Sequence, residues 1–158
     1  MVSPQEWGPQ AWELLHGIAE RVGKHDRPTM IRDEQNSLRL TLRNFWSLMP
    51  CQKCQSHYRS YLQKHPPELF LNLNGEWLRE ALREWLYKLH EDVNNRREVN
   101  PTVQLEDLPE RYKGVDLRLQ AANLKTIYQR GLQSGILRAD DWKVAWKCLD
   151  LLLRFIGV

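Results

Sequence analysis

Apolar residues recur at helical spacing along almost the whole chain, and no stretch alternates with period two beside the Gly/Asn turns that a hairpin needs. That pattern confines the fold to the all-α class. Ser3-Pro4-Gln5-Glu6 has the form of a capping box with proline at the first helical position. Trp7, Ala11, Leu15, Ile18 and Val22 follow on one stripe, so a first helix is expected near residues 4–23. A polar link over residues 23–28 precedes Leu38, Leu42, Phe45 and Met49, a second helical pattern that must end by Met49 because Pro50 disfavours the α region there. Pro50 is placed to open a third helix with Cys51 and Cys54 in its first turn and Tyr58, Tyr61 and Leu62 behind them, stopped by His65-Pro66-Pro67. Asn74-Gly75-Glu76 can cap a fourth helix carrying Leu78, Leu82, Trp85, Leu89 and Val93, which fades in Asn95-Arg96-Arg97-Glu98 before Pro101.

Beyond a polar connector around residues 100–115, two further helical patterns are expected at about 116–133 and 140–156, divided near Gly135. The expected organisation is a four-helix unit over residues 1–101 and a C-terminal helical extension over 102–158. At 158 residues and 18.8 kDa the chain fits one domain with a small appendage. The extension holds one cysteine and no histidine, which argues against a second active site. Its apolar face, Leu149, Leu152 and Phe155 beside Trp142 and Trp146, is too broad for a solvated helix. That face is expected to serve as an oligomer interface, the alternative being that it folds back on its own bundle.

Charge and hydropathy exclude several functions. The 23 basic and 20 acidic residues leave a formal charge of +3 and are interspersed rather than gathered into a stripe, so nucleic acid is not an expected partner. No apolar run approaches the roughly 18 residues that span a bilayer, so no membrane partner is expected either. The N-terminus lacks a basic segment followed by an apolar one, and secretion by a cleaved signal is therefore not expected. Three cysteines, an odd count, do not describe a stapled extracellular scaffold, and Cys51-Gln-Lys-Cys54 reads instead as redox or metal chemistry.

A thiol in the first turn of a helix sits at the positive end of the dipole, near unpaired N–H groups and here near Lys53, which favours the thiolate. Two such thiols three positions apart can close a disulfide that opens easily. Zinc is the rival, with Cys51, Cys54 and His57 as three ligands of a helical binding module. Haem attachment fails because Gln55 follows Cys54, and a thioredoxin-like site needs a βαβ frame. Two polar-aromatic faces accompany the dithiol. Trp12 and His16 lie one turn apart on the first helix, and His90, Asn94 and Arg97 stand at i, i+4 and i+7 on the fourth. Together they describe a pocket for a planar, phosphate-bearing redox cofactor.

The order Trp-Gly-Pro-x-x-Trp-x-x-Leu-His, Pro-Cys-x-x-Cys-x-x-His and Trp-x-x-x-x-His-x-x-Val-Asn resembles the Erv/ALR family of FAD-linked sulfhydryl oxidases over roughly residues 4–101. The resemblance implies a four-helix bundle that holds FAD, usually as a homodimer, and that oxidises protein dithiols with molecular oxygen to give hydrogen peroxide. Carried over by position, it implies catalytic roles for Cys51 and Cys54 and cofactor binding by Gly8, Trp12, His16, His57, His90, Val93 and Asn94, with no metal. Glu91 stands where the family usually has Asn, and Met49 where an aromatic often precedes Pro-Cys. The lysine expected after Val-Asn is missing, and Arg96 or Arg97, with Arg97 preferred, is left to supply its charge. No second cysteine pair flanks the fourth helix and no shuttle C-x-x-C lies in either tail. Those features resemble the short viral members and point to the cytoplasm, including that of an infected host cell, or to a virion. An inactive scaffold member of the family is the remaining alternative.

Overall fold

The computed structural model describes residues 2–98 and 103–158, and among them every regular element is helical. Helix α1 spans Pro4–Ala19, α2 Pro28–Asn44, α3 Gln52–Lys64, α4 Gly75–Arg96, α5 Leu108–Tyr112, α6 Leu117–Gln133 and α7 Ala139–Phe155. The all-α class and the order of elements agree with the sequence reading. The boundary expected between residues 101 and 102 lies outside the described residues.

The differences are local and physical. Helix α1 stops at Ala19 rather than near residue 23, where Gly23 takes φ +77 to turn the chain. A Cβ on Gly23 would lie 2.2 Å from the Gly75 carbonyl oxygen, so this glycine also lets the link press against the start of α4. The Ser3 side chain makes no capping bond, and the backbone carbonyl of Ser3 accepts from Glu6 N–H instead. The second helix begins at Pro28, ten residues before its first expected apolar position, and closes in a 3-10 turn over Phe45–Leu48. The connector around residues 100–115 contains α5, a helix too short for periodicity to reveal.

Helix α1 packs against α4 on one side and α6 on the other, while α7 lies along α2. Gly17 makes the α1–α6 approach possible, because a Cβ there would meet Leu117 Cδ2 at 2.5 Å. Leu149 and Leu152 of α7 are fully buried in the same core as Leu38 and Leu42 of α2. The Thr41 hydroxyl reaches across to the Cys148 carbonyl at 3.1 Å, and Cys148 itself is half-buried with its thiol pushed up by burial. The broad apolar face of the extension is thus covered within the chain. Leu119, Val144 and Leu151 are the large apolar residues that the two added helices leave exposed.

An ion pair fixes α4 against α1. Arg83 donates two hydrogen bonds to the Glu20 carboxylate, Nε at 2.7 Å and Nη2 at 2.8 Å, and the Glu20 side chain is only 4% exposed. Removing the guanidinium strands a buried carboxylate, so Arg83→Ala is expected to cost about 3 kcal/mol. Urea unfolding followed by circular dichroism measures that loss.

Candidate active site

The sequence at the head of α3 folds as a capped helix. Pro50 ends the preceding turn, and Cys51 is the N-cap in extended backbone. The Cys51 sulfur accepts from Cys54 N–H at 3.2 Å, standing where a Ser or Asp oxygen usually caps. Cys51 and Cys54 form a disulfide, and both are half-buried against the core. Any thiolate released there meets the unpaired amides of a helix N-terminus, which lowers the cost of opening the bond. The zinc reading is not supported. The two sulfurs are bonded to each other, and His57 Nε2 is held by Asp92 Oδ2 at 2.6 Å.

A second feature lies between α1 and α4. Gly8, Trp12 and His16 follow each other at intervals of four on α1, while Tyr87, His90 and Asn94 form a stripe on α4 that Arg97 continues at the C-cap. These seven residues line one cleft of about 290 Å³. Its inner wall is aromatic. Trp12 stacks on His90 with ring centroids 3.9 Å apart, and Tyr112 of α5 stacks on His16 at 4.7 Å. His16 Nε2 and His90 Nδ1 share a hydrogen bond of 3.3 Å, and His16 Nδ1 is buried without a partner among the described residues. Arg97 and Arg111 stand in the same lining as the cations, with Glu13 and Glu91 as the anions.

The expected binding residues do not all converge. Gly8, Trp12, His16, His90, Asn94 and Arg97 meet in this cleft, whereas Val93 is not part of its lining and packs, partly buried, against the core. His57 borders a different, polar cavity of about 480 Å³ that also takes in Lys64, Lys88, Asp92 and Arg96. Of the two arginines considered as the missing cation, Arg97 is in the cleft, while Arg96 lies in the second cavity near Asp92, at 3.8 Å. Glu91 borders both cavities. The disulfide itself lines neither. Sequence reasoning missed Tyr87, which its i−3 relation to His90 would have shown. It also missed Leu108, Arg111 and Tyr112, for which a five-residue helix leaves no periodic signal.

An all-helical protein with a disulfide capping one helix and an aromatic, arginine-rimmed cleft between two others belongs to a narrow class. The Erv1/Alr family model matches residues 9–113, two thirds of the chain, and the chain belongs to that family. The match runs beyond the resemblance expected to end at residue 101 and takes in α5 with Arg111 and Tyr112. A FAD-linked sulfhydryl oxidase of African swine fever virus is 34% identical over 90 residues, 57% of this chain and 66% of that protein. The mitochondrial FAD-linked sulfhydryl oxidase erv1 of Schizosaccharomyces pombe is 33% identical over 91 residues, 58% of this chain and 45% of that protein. A probable FAD-linked sulfhydryl oxidase of Acanthamoeba polyphaga mimivirus is 32% identical over 97 residues, covering 59% of each chain. The chain therefore matches under two thirds of the length of each of these relatives. No solved structure matches it.

The histidine pair sets a pH dependence. Burial pushes His16 down from 6.5 to about 3, with His90 and Arg111 adding to it, and burial pushes His90 down to about 4. In the unfolded chain both rings take up protons as pH falls through 6.5, while in the fold they stay neutral to about 4. The unfolded state therefore binds more protons across that window, and stability falls as pH falls through it. Each ring contributes a slope of about 1.4 kcal/mol per pH unit. His90→Gln is expected to flatten the dependence by that amount, which urea midpoints taken between about pH 6.5 and 4.5 would show.

Proposed function

We propose that this protein is a FAD-dependent thiol oxidase that makes disulfides in protein dithiols and passes the electrons to molecular oxygen, giving hydrogen peroxide. The observation that carries the reading is the disulfide at the head of α3, in a chain whose Trp12, His16, His90 and Asn94 converge on one cleft. The relatives' names supply the reaction and the cofactor, FAD.

The cleft suits such a cofactor. Flat rings stacked along its wall and an unpartnered His16 ring nitrogen offer a surface and a polar contact for a planar heterocycle. Arg97 and Arg111 offer planar guanidinium groups to its phosphates. Asn94 and the neutral His90 are positioned to hydrogen-bond it, and Trp12 to cover it. The bound FAD supplies an acceptor for an electron pair and the subsequent reaction with oxygen.

The protein's own part is thiol exchange. A substrate thiolate attacks Cys51 Sγ, the Cys51–Cys54 bond breaks, and Cys54 leaves as a thiolate beside the amides of the first turn of α3. The second substrate thiolate then attacks the mixed disulfide on the substrate sulfur and releases the Cys51 thiolate. The substrate has then lost two electrons and two protons, the cysteine pair holds the two electrons, and the protons go to solvent. Cys51 is assigned to exchange and Cys54 to the cofactor on the family's pattern, Cys51 standing at the N-cap of α3. We place the reaction in the cytoplasm, following the resemblance to the short viral members of the family. The homodimer belongs to the proposal too, with Val144 and Leu151 on the outer face of α7 open to a second copy.

The purified protein is expected to be yellow and to produce peroxide with dithiothreitol. Cys54→Ser should keep its FAD and lose activity by about two orders of magnitude or more. A colourless protein would sink the cofactor assignment. A yellow protein without peroxide would favour the inactive scaffold. Full activity in Cys54→Ser would overturn the mechanism. His90→Ala and Asn94→Ala should each purify with less FAD while keeping the wild-type helical circular dichroism.

A further inference from the structure

The corner between α6 and α7 lies outside the residues matched by the family, yet it touches the segment that carries the disulfide. A Cβ on Gly131 would stand 3.3 Å from Pro50 Cβ and 2.8 Å from Leu137 Cδ1. Pro50 is buried, and Leu137 is 3% exposed. The corner is itself fixed. Gly135 takes φ +80, and Leu137 N–H donates to the Gly131 carbonyl at 3.1 Å. Just upstream of Pro50, the 3-10 turn Phe45–Leu48 packs on α7. From the other side, the Met49 carbonyl accepts from Cys51 N–H at 2.8 Å and from Gln55 Nε2 at 2.7 Å. The approach to Cys51 is therefore clamped between α3 and the C-terminal helical pair.

We propose that Gly131 and Leu137 are positioning residues for the Cys51–Cys54 disulfide, acting through Pro50. The proposal rests on the thiol-oxidase reading and deepens it. The physical link is the proline ring. With φ fixed by its ring, Pro50 has less freedom to absorb a displacement, which passes to the backbone of Cys51. Cys51 Sγ caps α3 through a single contact to Cys54 N–H, so a shift of a few tenths of an ångström alters how well the helix N-terminus stabilises a thiolate there. The C-terminal helices on this account are the floor of the dithiol segment and take part in setting its reactivity.

Gly131→Ala and Leu137→Val test this from opposite sides, one placing a methyl group between Leu137 and Pro50 and the other trimming the Leu137 side of that gap. Rates of Cys51–Cys54 reduction by dithiothreitol and the equilibrium with glutathione are read by alkylating the free thiols, in flavin-loaded full-length protein kept anaerobic with its flavin reduced beforehand, so that the cofactor draws no electrons from the pair. Leu152→Ala is the control. It opens the buried core toward the Phe155 end of α7, where His25 binds the Phe155 carbonyl at 2.7 Å, away from the Gly131 corner. The expected result is a change in exchange rate on the order of tenfold in Gly131→Ala, a shift in the glutathione equilibrium in both corner variants, and wild-type exchange in Leu152→Ala despite its lower stability. Wild-type exchange constants in both corner variants would overturn the proposal. If Gly131→Ala does not fold, Leu137→Val decides alone, and its wild-type behaviour overturns the proposal equally. Because alkylation reports exchange without oxygen turnover, a wild type that makes no peroxide would sink the oxidase reading and leave this test standing.

Discussion

Burial of α1 is the constraint on which the rest of the structure depends. The helix is enclosed by α4 on one side and α6 on another, and its C-terminal half is buried residue after residue from Leu14 to Glu20. Such enclosure leaves its polar groups dependent on their neighbours. Glu20 is met by Arg83, and His16 by His90 and Tyr112, so the two polar residues buried in α1 and at its C-cap are the ones that align α4 and α5. The cleft follows from this alignment. Gly8, Trp12 and Glu13 belong to the less covered part of α1, and the α4 stripe from Tyr87 to Arg97 faces them.

The helices were legible wherever apolar spacing and chain breakers coincided. Pro50, the Pro66–Pro67 pair and Gly135 mark stops that the structure keeps, and α4, α6 and α7 lie within a residue or two of their expected bounds. The start of α2 was not legible because the residues it buries include Glu34, Ser37 and Thr41, which periodicity assigns to solvent. Two of these find partners: Thr41 donates to the Ser37 and Cys148 carbonyls, and Glu34 accepts from Gly23 N–H at 3.0 Å. Its burial raises the Glu34 carboxyl above the ordinary range. Such contacts depend on the placement of neighbouring elements, which one-dimensional spacing does not carry.

The cleft was legible for the same reason as the helices. Trp12 to His16 and His90 to Arg97 are helical intervals, and a face is a property of spacing. Val93 shows the limit, since one position along α4 turns a side chain from cleft to core. Arg111 and Tyr112 show another, because they reach the cleft from a short turn of helix whose placement depends on tertiary packing. The C-terminal helices, read from their apolar excess as material for an interface, bury Leu149 and Leu152 in the core shared with α2, set Trp142 and Trp146 on Tyr128 of α6, and bring Gly131 close to Pro50. Segments that match no family motif can thus bear on the site through packing alone.

The central claim is that a flavin held on α1 and α4 receives electrons from the Cys51–Cys54 pair. An anaerobic titration of the purified protein with dithiothreitol, followed at the flavin absorption band, tests it most directly. The account predicts that the band bleaches in the wild type and returns on admitting air, with peroxide formed in proportion to the dithiol consumed. It also predicts that Cys54→Ser, loaded with the same flavin, stays yellow over the same period. Equal bleaching in the two proteins would contradict the account, because electrons would then reach the flavin without the cysteine pair.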